Sequence, residues 1–291
     1  MLFLAPAALV AILYWPTMVQ LARTWDTDPN YSHGFAVPAL SLVFVVWAVR
    51  RRGGAWCPQV GRGEALGGLL EIALGVGLHC VAVFLGHLLL DVLSLICVLR
   101  GALLTLGGRE ANRTFGFAAL FLIFMAPLPP GWYQPVARLL QELVSDWSSR
   151  LLALCGVAVF REGYILHLPG CTVEVGEACS GMRQLTGILA LAVAVGYFAS
   201  DRSWYRWTLA LASLPIAILA NCLRVIFNSV VLLVLGPRWA GGLLHDLEGL
   251  ITAALASGLL FVLAWGLSRL ERSAAARPEG RLECEGSLCR S

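Results

Sequence analysis

The chain has 291 residues, of which 58% are hydrophobic and only 13% charged. A soluble domain carries about 45–50% apolar and about 25% charged residues, so this composition excludes an ordinary soluble fold. The formal charge of +3 is too small to suggest a nucleic-acid partner, and the nine cysteines form no CxxC pair or zinc-like His/Cys cluster, so neither a metal nor another cofactor is expected.

The apolar residues fall in runs of roughly 18–25, long enough to cross a bilayer as helices whose backbone polar groups are satisfied internally. The expected fold class is an all-α polytopic membrane protein of about eight transmembrane helices, over 3–22, 34–50, 66–87, 89–107, 114–128, 181–199, 206–235 and 249–268. The first run lacks a basic leader and a small-residue cleavage site, so a retained helix is expected. The third and fourth are separated only by a stretch around His87–Asp91, and Glu71 is an awkward residue inside the third. Cys80, Cys97 and Cys222 lie in apolar runs and read as small hydrophobes.

Every basic residue is Arg, and their placement predicts orientation. Arg50, Arg51, Arg52 and Arg62, then Arg109 and Arg113, then Arg202 and Arg206, and finally Arg269 and Arg272 mark alternate connections. That side is expected to be cytoplasmic, with both chain ends on it. The outer side then holds residues 23–33, 129–180 and 236–248, with Trp25, Tyr31, Trp132, Tyr133 and Trp239 suited to a headgroup belt. Within 132–154, Val136, Leu139, Leu140, Leu143, Trp147, Leu151 and Leu154 recur at helical spacing and predict an amphipathic helix on the membrane surface. The alternating stretches from Tyr164 and from Cys171, bounded by Gly and Pro, predict a small extracytoplasmic hairpin. Residues 1–270 form one transmembrane domain, and 271–291, rich in Pro, Glu and Gly and carrying Cys284 and Cys289, are expected as a disordered cytoplasmic tail.

Three polar positions share one depth. Cys179, in GEACSGMRQ, precedes the sixth span. Arg224 follows Arg206 by about 27 Å of helix, close to the hydrocarbon thickness, which returns it to the outer interface. His245, in LLHDLEG, precedes the eighth span. A thiolate is the nucleophilic form of Cys, and a helix N-terminus or a cation lowers its pKa. An imidazole exchanges protons near neutral pH, whereas Arg stays protonated and suits an oxyanion or carboxylate clamp. Arg224 has the stronger functional signal of the three, because charge in an apolar run is costly. An inert interfacial Cys and a filler His are the bland readings of the other two. Glu177 and Asn221 are candidate supporting residues, and Asp246 or Glu248 a candidate orienter of His245.

These residues resemble the exosortase/archaeosortase family of integral-membrane sorting enzymes. The matches are GEACSGMRQL around Cys179, LPIAILANCLRV around Arg224, LLHDLEG around His245, the early DPNYSHGFAVPALSLVFVVWAVRRR, and PLP at 127–129. The resemblance covers roughly 15–268 and implies a membrane cysteine protease/transpeptidase with Cys179, Arg224 and His245 as catalytic residues. It implies partners that are membrane-anchored secreted proteins with a C-terminal sorting signal: a Pro-Glu-Pro-type motif, a transmembrane helix and a basic tail. An unknown acceptor, often in exopolysaccharide-producing bacteria, receives the cleaved protein. The expected location is a bacterial inner membrane, with the site on the extracytoplasmic side. Tyr31, Ser32 and His33 lie at the same outer level, and Arg138, Arg161 and Arg183 are candidates to attract a glutamate of the signal.

Three rival readings stand beside this one. Ser180, in place of Cys179, would make the chain an intramembrane serine protease. A channel or transporter would line a polar path with Arg224 and Glu71. An assembly or transport protein for exopolysaccharide export would need no reactive thiol. A Cys171–Cys179 disulfide, which an oxidising compartment permits, would silence the nucleophile; Cys179 is expected to be reduced in the active protein.

Overall fold

The computed structural model describes residues 4–53, 60–176, 181–236 and 243–275, without the side chains of 4–7, 243–246, 274 and 275. Residues 276–291 of the expected tail and residues 237–242, with Trp239, lie outside the described residues; 271–275, expected as the start of a disordered tail, continue the last helix.

The chain opens with α1 (Leu4–Leu13) and α2 (Trp15–Thr27). Pro16 causes the interruption: it has no amide hydrogen, and its ring crowds the carbonyl one turn back. A 3-10 helix (Pro29–Phe35) leads into α3 (Ala36–Arg52). α4 (Arg62–Leu85) ends on Gly86, whose left-handed φ of 69° suits only glycine without strain. α5 (Leu88–Phe121) follows, and a short 3-10 turn (Leu122–Met125) closes it.

Six helical segments are long and apolar enough to cross a membrane, against the eight expected. Two places account for the difference. The first expected span is split at Tyr14 into pieces too short to qualify. The fourth and fifth run together as Leu88–Met125, but Gly108 (φ 65°, ψ −167°) breaks the helix where the sequence placed a connection. On either side of Gly108 the partners change. Before it, α5 runs antiparallel to α4, with Glu71 near Arg100, Gly75 against Val98 and His79 at 2.6 Å from Asp91. After it, α5 runs antiparallel to α3, with Arg52 on Glu110 and Ser41 bonded to the Ala118 carbonyl.

Lipid supplies no hydrophobic drive between helices, so close packing by small residues substitutes for it. A Cβ on Gly68 would sit 2.7 Å from the Gly101 carbonyl oxygen, so the α4 and α5 backbones nearly touch. Asp91 lies buried in the first turn of α5, where the sequence suggested a loop. It accepts from Thr17 of α2 at 2.7 Å and thereby ties α2 to the α4–α5 pair. Trp25 and Tyr31 are also buried and do not belong to a headgroup belt. The indole of Trp25 donates to the Met125 carbonyl, and the Tyr31 hydroxyl accepts from the Leu128 amide.

α6 (Pro130–Leu154) is the expected amphipathic helix. Ala137, Leu140, Val144, Ser148 and Leu152 meet the protein, whereas Val136, Leu139, Trp147, Leu151 and Leu154 are exposed. The apolar stripe is the side turned away from the bundle, as suits a helix that faces lipid. Its small face packs on α8. The predicted hairpin is a three-stranded antiparallel sheet: β1 (Phe160–Glu162), β2 (Ile165–Leu168) and β3 (Cys171–Glu174). The third strand was not expected. Leu168 opposite Cys171 leaves a two-residue Pro169-Gly170 turn, with Gly170 at φ 83°. The inner face of the sheet, with Leu166, Val173 and Val175, packs against Val144, Cys222 and Val225.

The last three helices are α7 (Met182–Ala199), α8 (Ser203–Leu235) and α9 (Leu243–Ala275). At one end of the bundle Arg51 and Arg206 share Asp201, at 2.7 and 3.3 Å, and Arg202 meets Glu271 at 3.0 Å. The Arg51 bond holds the Asp201 carboxyl below the usual carboxylate range. The candidate site occupies the other end.

Candidate functional site

The site is built where α7 begins, α8 passes and α9 begins. α8 carries two sets of residues. Cys222 and Val225 face α6 and the sheet. Asn221 and Arg224, one turn apart, border a cavity between α7 and α9. The sheet and α6 thus brace α8 from behind and fix which side chains it offers forward.

Gly181 precedes α7 with φ 83°. A Cβ there would lie 2.9 Å from Asn221 Nδ2, so Asn221 packs directly under the chain entering α7. Asn221 itself is 1% exposed. Arg224 is buried to 12% side-chain exposure, and its Nε lies 3.6 Å from Oε1 of Glu248, which is 5% exposed. Each charge is expensive in this setting, and each compensates the other. Glu248 lies three residues after His245 on α9, the spacing that puts two positions on one helix face. Gln184 donates to the Thr252 carbonyl at 3.1 Å and ties α7 to α9.

The cavity has a volume of about 690 Å³. Its polar wall comprises Gly181, Arg183, Gln184, Asn221 and Arg224, with Pro29 at the rim. Toward the helix interiors, Gly187, Ile188, Leu191, Ala253 and Ser257 line an apolar continuation. Two guanidiniums and two amides facing one space suit a carboxylate, a polarised carbonyl or a developing oxyanion. Among the described residues no group of His, Cys, Asp and Glu could hold a metal ion.

Of the sequence-predicted residues, Arg183, Asn221 and Arg224 come together at this cavity. Cys179, Glu177 and Ser180 lie outside the described residues, as do the side chains of His245 and Asp246. Tyr31 and His33 are not wall residues of this cavity: their side chains bond the backbone at Leu128 and Phe124 and dock the 3-10 helix, whose Pro29 lines the cavity, beside the end of α5. Arg161 meets Asp146 at 3.7 Å and is not a wall residue; neither is Arg138. Glu71 meets Arg100 at 3.6 Å, so it forms no polar path with Arg224. Sequence reasoning missed Gln184 and Thr252, and it gave Glu248 to His245 rather than to Arg224.

Fold and site together define a multi-pass integral membrane protein with a polar, Arg-centred cavity at one end of its bundle. Over residues 25–262 the chain matches the family model described as Transmembrane exosortase (Exosortase_EpsH), and it belongs to that family. No curated protein and no solved structure matches it.

Proposed function

We propose that this exosortase-family protein is a cysteine peptidase and transpeptidase of a bacterial inner membrane, with its site at the extracytoplasmic interface. It cleaves the C-terminal sorting signal of membrane-anchored secreted proteins and passes the new end to an acceptor. The observation that carries this reading is the buried Arg224–Glu248 pair beside the cavity, because three distant motifs border it. Gly181 is two positions after Cys179, Arg224 is itself a wall residue, and Glu248 is one turn after His245.

In this mechanism the Cys179 thiolate attacks the scissile carbonyl. The oxyanion that forms is held by Arg224, whose guanidinium Glu248 keeps in place. His245 protonates the leaving amine as the C–N bond breaks and the thioester forms. The acceptor then attacks the thioester, His245 takes its proton, and the thiolate is released. Arg183, at the cavity mouth, suits the carboxylate of a Pro-Glu-Pro-type motif. The apolar continuation between α7 and α9 suits the helix that follows the motif.

The test is processing of a co-produced membrane-tethered reporter that ends in Pro-Glu-Pro, an apolar helix and arginines. Cys179→Ala is expected to abolish cleavage and Ser180→Ala to preserve it. Arg224→Gln is expected to lower the rate about 10²–10³-fold, as for loss of an oxyanion donor. Cleavage that survives Cys179→Ala and is lost in Ser180→Ala would make Ser180 the nucleophile. Cleavage indifferent to all three variants would leave an assembly or transport role for exopolysaccharide export.

A further inference from the structure

At the far end of α7, α8 and α9 from the candidate site, two cavities adjoin across Arg51. One, about 550 Å³, has Trp47, Arg51, Asp201, Arg202, Glu271 and Arg272 in its wall. The other, about 440 Å³, shares Trp47, Arg51 and Asp201 and adds Arg52, Glu110, Arg113 and Arg206. Together their walls hold six guanidiniums against three carboxylates. The carboxylates are already committed: Asp201 to Arg51 and Arg206, Glu271 to Arg202, and Glu110 to Arg52. Among the described residues Arg113 and Arg272 have no carboxylate partner, and both are exposed.

Several of these cations are held in place before any ligand arrives. Arg51 lies 5.0 Å over the Trp47 ring and Arg206 lies 5.2 Å over the Tyr197 ring. The surrounding surface is greasy, with Phe198 at the end of α7 and Trp204 and Trp207 at the start of α8 exposed at 39, 43 and 67%. A polar pocket with surplus positive charge, opening onto an aromatic and apolar apron, matches a molecule with an anionic head and acyl chains. Basic pockets between transmembrane helices bind such lipids. The same surplus repels a basic peptide segment.

We infer that these two adjoining cavities seat the headgroup of an anionic phospholipid, its phosphodiester held by Arg51 together with Arg113 and Arg272. The lipid would bridge the ends of α3, α7, α8 and α9 and the stretch of α5 just past Gly108. Three of these helices carry Gly181, Arg224 and Glu248 at or near their opposite ends, so a bound headgroup fixes the spacing on which the cavity depends. The binding inference is independent of the peptidase reading.

The experiment uses the full chain, delipidated in a neutral detergent and offered phosphatidylglycerol, phosphatidylcholine with the same acyl chains, or inorganic phosphate. Native mass spectrometry reads bound lipid, and thermal unfolding reads stabilisation. Phosphatidylglycerol is expected to be retained at least about tenfold better than phosphatidylcholine. Each of Arg113→Gln and Arg272→Gln is expected to weaken retention about fivefold, the effect of one charge near a membrane surface. Neither substitution strips a carboxylate of its partner. Arg138→Gln, an exposed charge on α6, is the control and is expected to change nothing. Equal retention of the two lipids, or equal loss in the Arg138 control, would overturn the proposal. So would inorganic phosphate that reproduces the thermal shift and displaces the lipid, since the site would then take a free anion.

Discussion

Removing the carboxylate of Glu248 takes an opposite charge from beside the buried Arg224. The side chains are 12% and 5% exposed and 3.6 Å apart. At an effective dielectric of about 20, that separation corresponds to a Coulomb attraction of about 4–5 kcal/mol. Breaking a buried pair from one side costs about 3–5 kcal/mol. Glu248→Ala is therefore expected to destabilise the protein by about 3 kcal/mol, the lower end, because the contact is at ion-pair rather than hydrogen-bond distance. Arg224→Leu removes the cation beside Glu248 and is expected to cost a similar amount. The double variant Arg224→Leu/Glu248→Leu removes both charges, and lipid-compatible side chains refill the space. Its stability is expected to return to within about 1–2 kcal/mol of the parent. Denaturant unfolding in detergent micelles measures all four corners of the cycle, and the reporter assay runs beside it. Processing is expected to be lost in the double variant even though stability returns, which separates Arg224's chemical role from its structural one. If the two single costs simply add in the double variant, the side chains do not compensate each other and the reasoning fails.

Other outcomes follow from particular contacts. Gly181→Ala places a Cβ 2.9 Å from Asn221 Nδ2 at φ 83° and is expected to cost about 1–2 kcal/mol and to slow processing; unchanged stability would mean that the entry to α7 relaxes freely. Asp91→Ala deprives Thr17 and His79 of their shared acceptor and is expected to cost about 2–4 kcal/mol, with Asp91→Asn costing less, as thermal unfolding would register. Gly101→Val drives a side chain into Gly68 and Ile72 and is expected to cost about 1–3 kcal/mol by separating α4 from α5. Asp201 has its pKa lowered by Arg51, so its contribution is present at neutral pH and is lost as pH falls through that lowered value. Both partners are largely exposed, so the effect is expected to be small and to shrink with salt, and Asp201→Asn should abolish it in unfolding measured from neutral to acid pH.

Much of this protein was legible along the chain because lipid imposes a simple rule. Apolar runs of fixed length had to be helices, and Arg had to collect between alternate runs. The break at Gly108 falls where a connection was expected, whereas the break beside Pro16 interrupts a span expected to be continuous. Arg224 stood out because a charge inside an apolar run demands compensation. The partner itself was not legible. Glu248 was considered, with Asp246, only as an orienter of His245, and it is the approach of α8 to α9 that pairs Glu248 with Arg224.

What the sequence by itself determined were most of the membrane-long helices and the amphipathic character of α6, since both depend on local periodicity and on transfer of side chains into lipid. Tertiary structure alone decided which way those faces point. α6 turns Leu139, Trp147, Leu151 and Leu154 away from the bundle and Ala137, Leu140, Val144, Ser148 and Leu152 inward, because in lipid close fit, rather than apolar character alone, holds helices together. The same packing buries Trp25 and Tyr31, joins Asp91 to α2, and brings Gln184, Asn221 and Arg224 around one cavity. Those contacts depend on crossing geometry between helices, which no single helix's sequence contains.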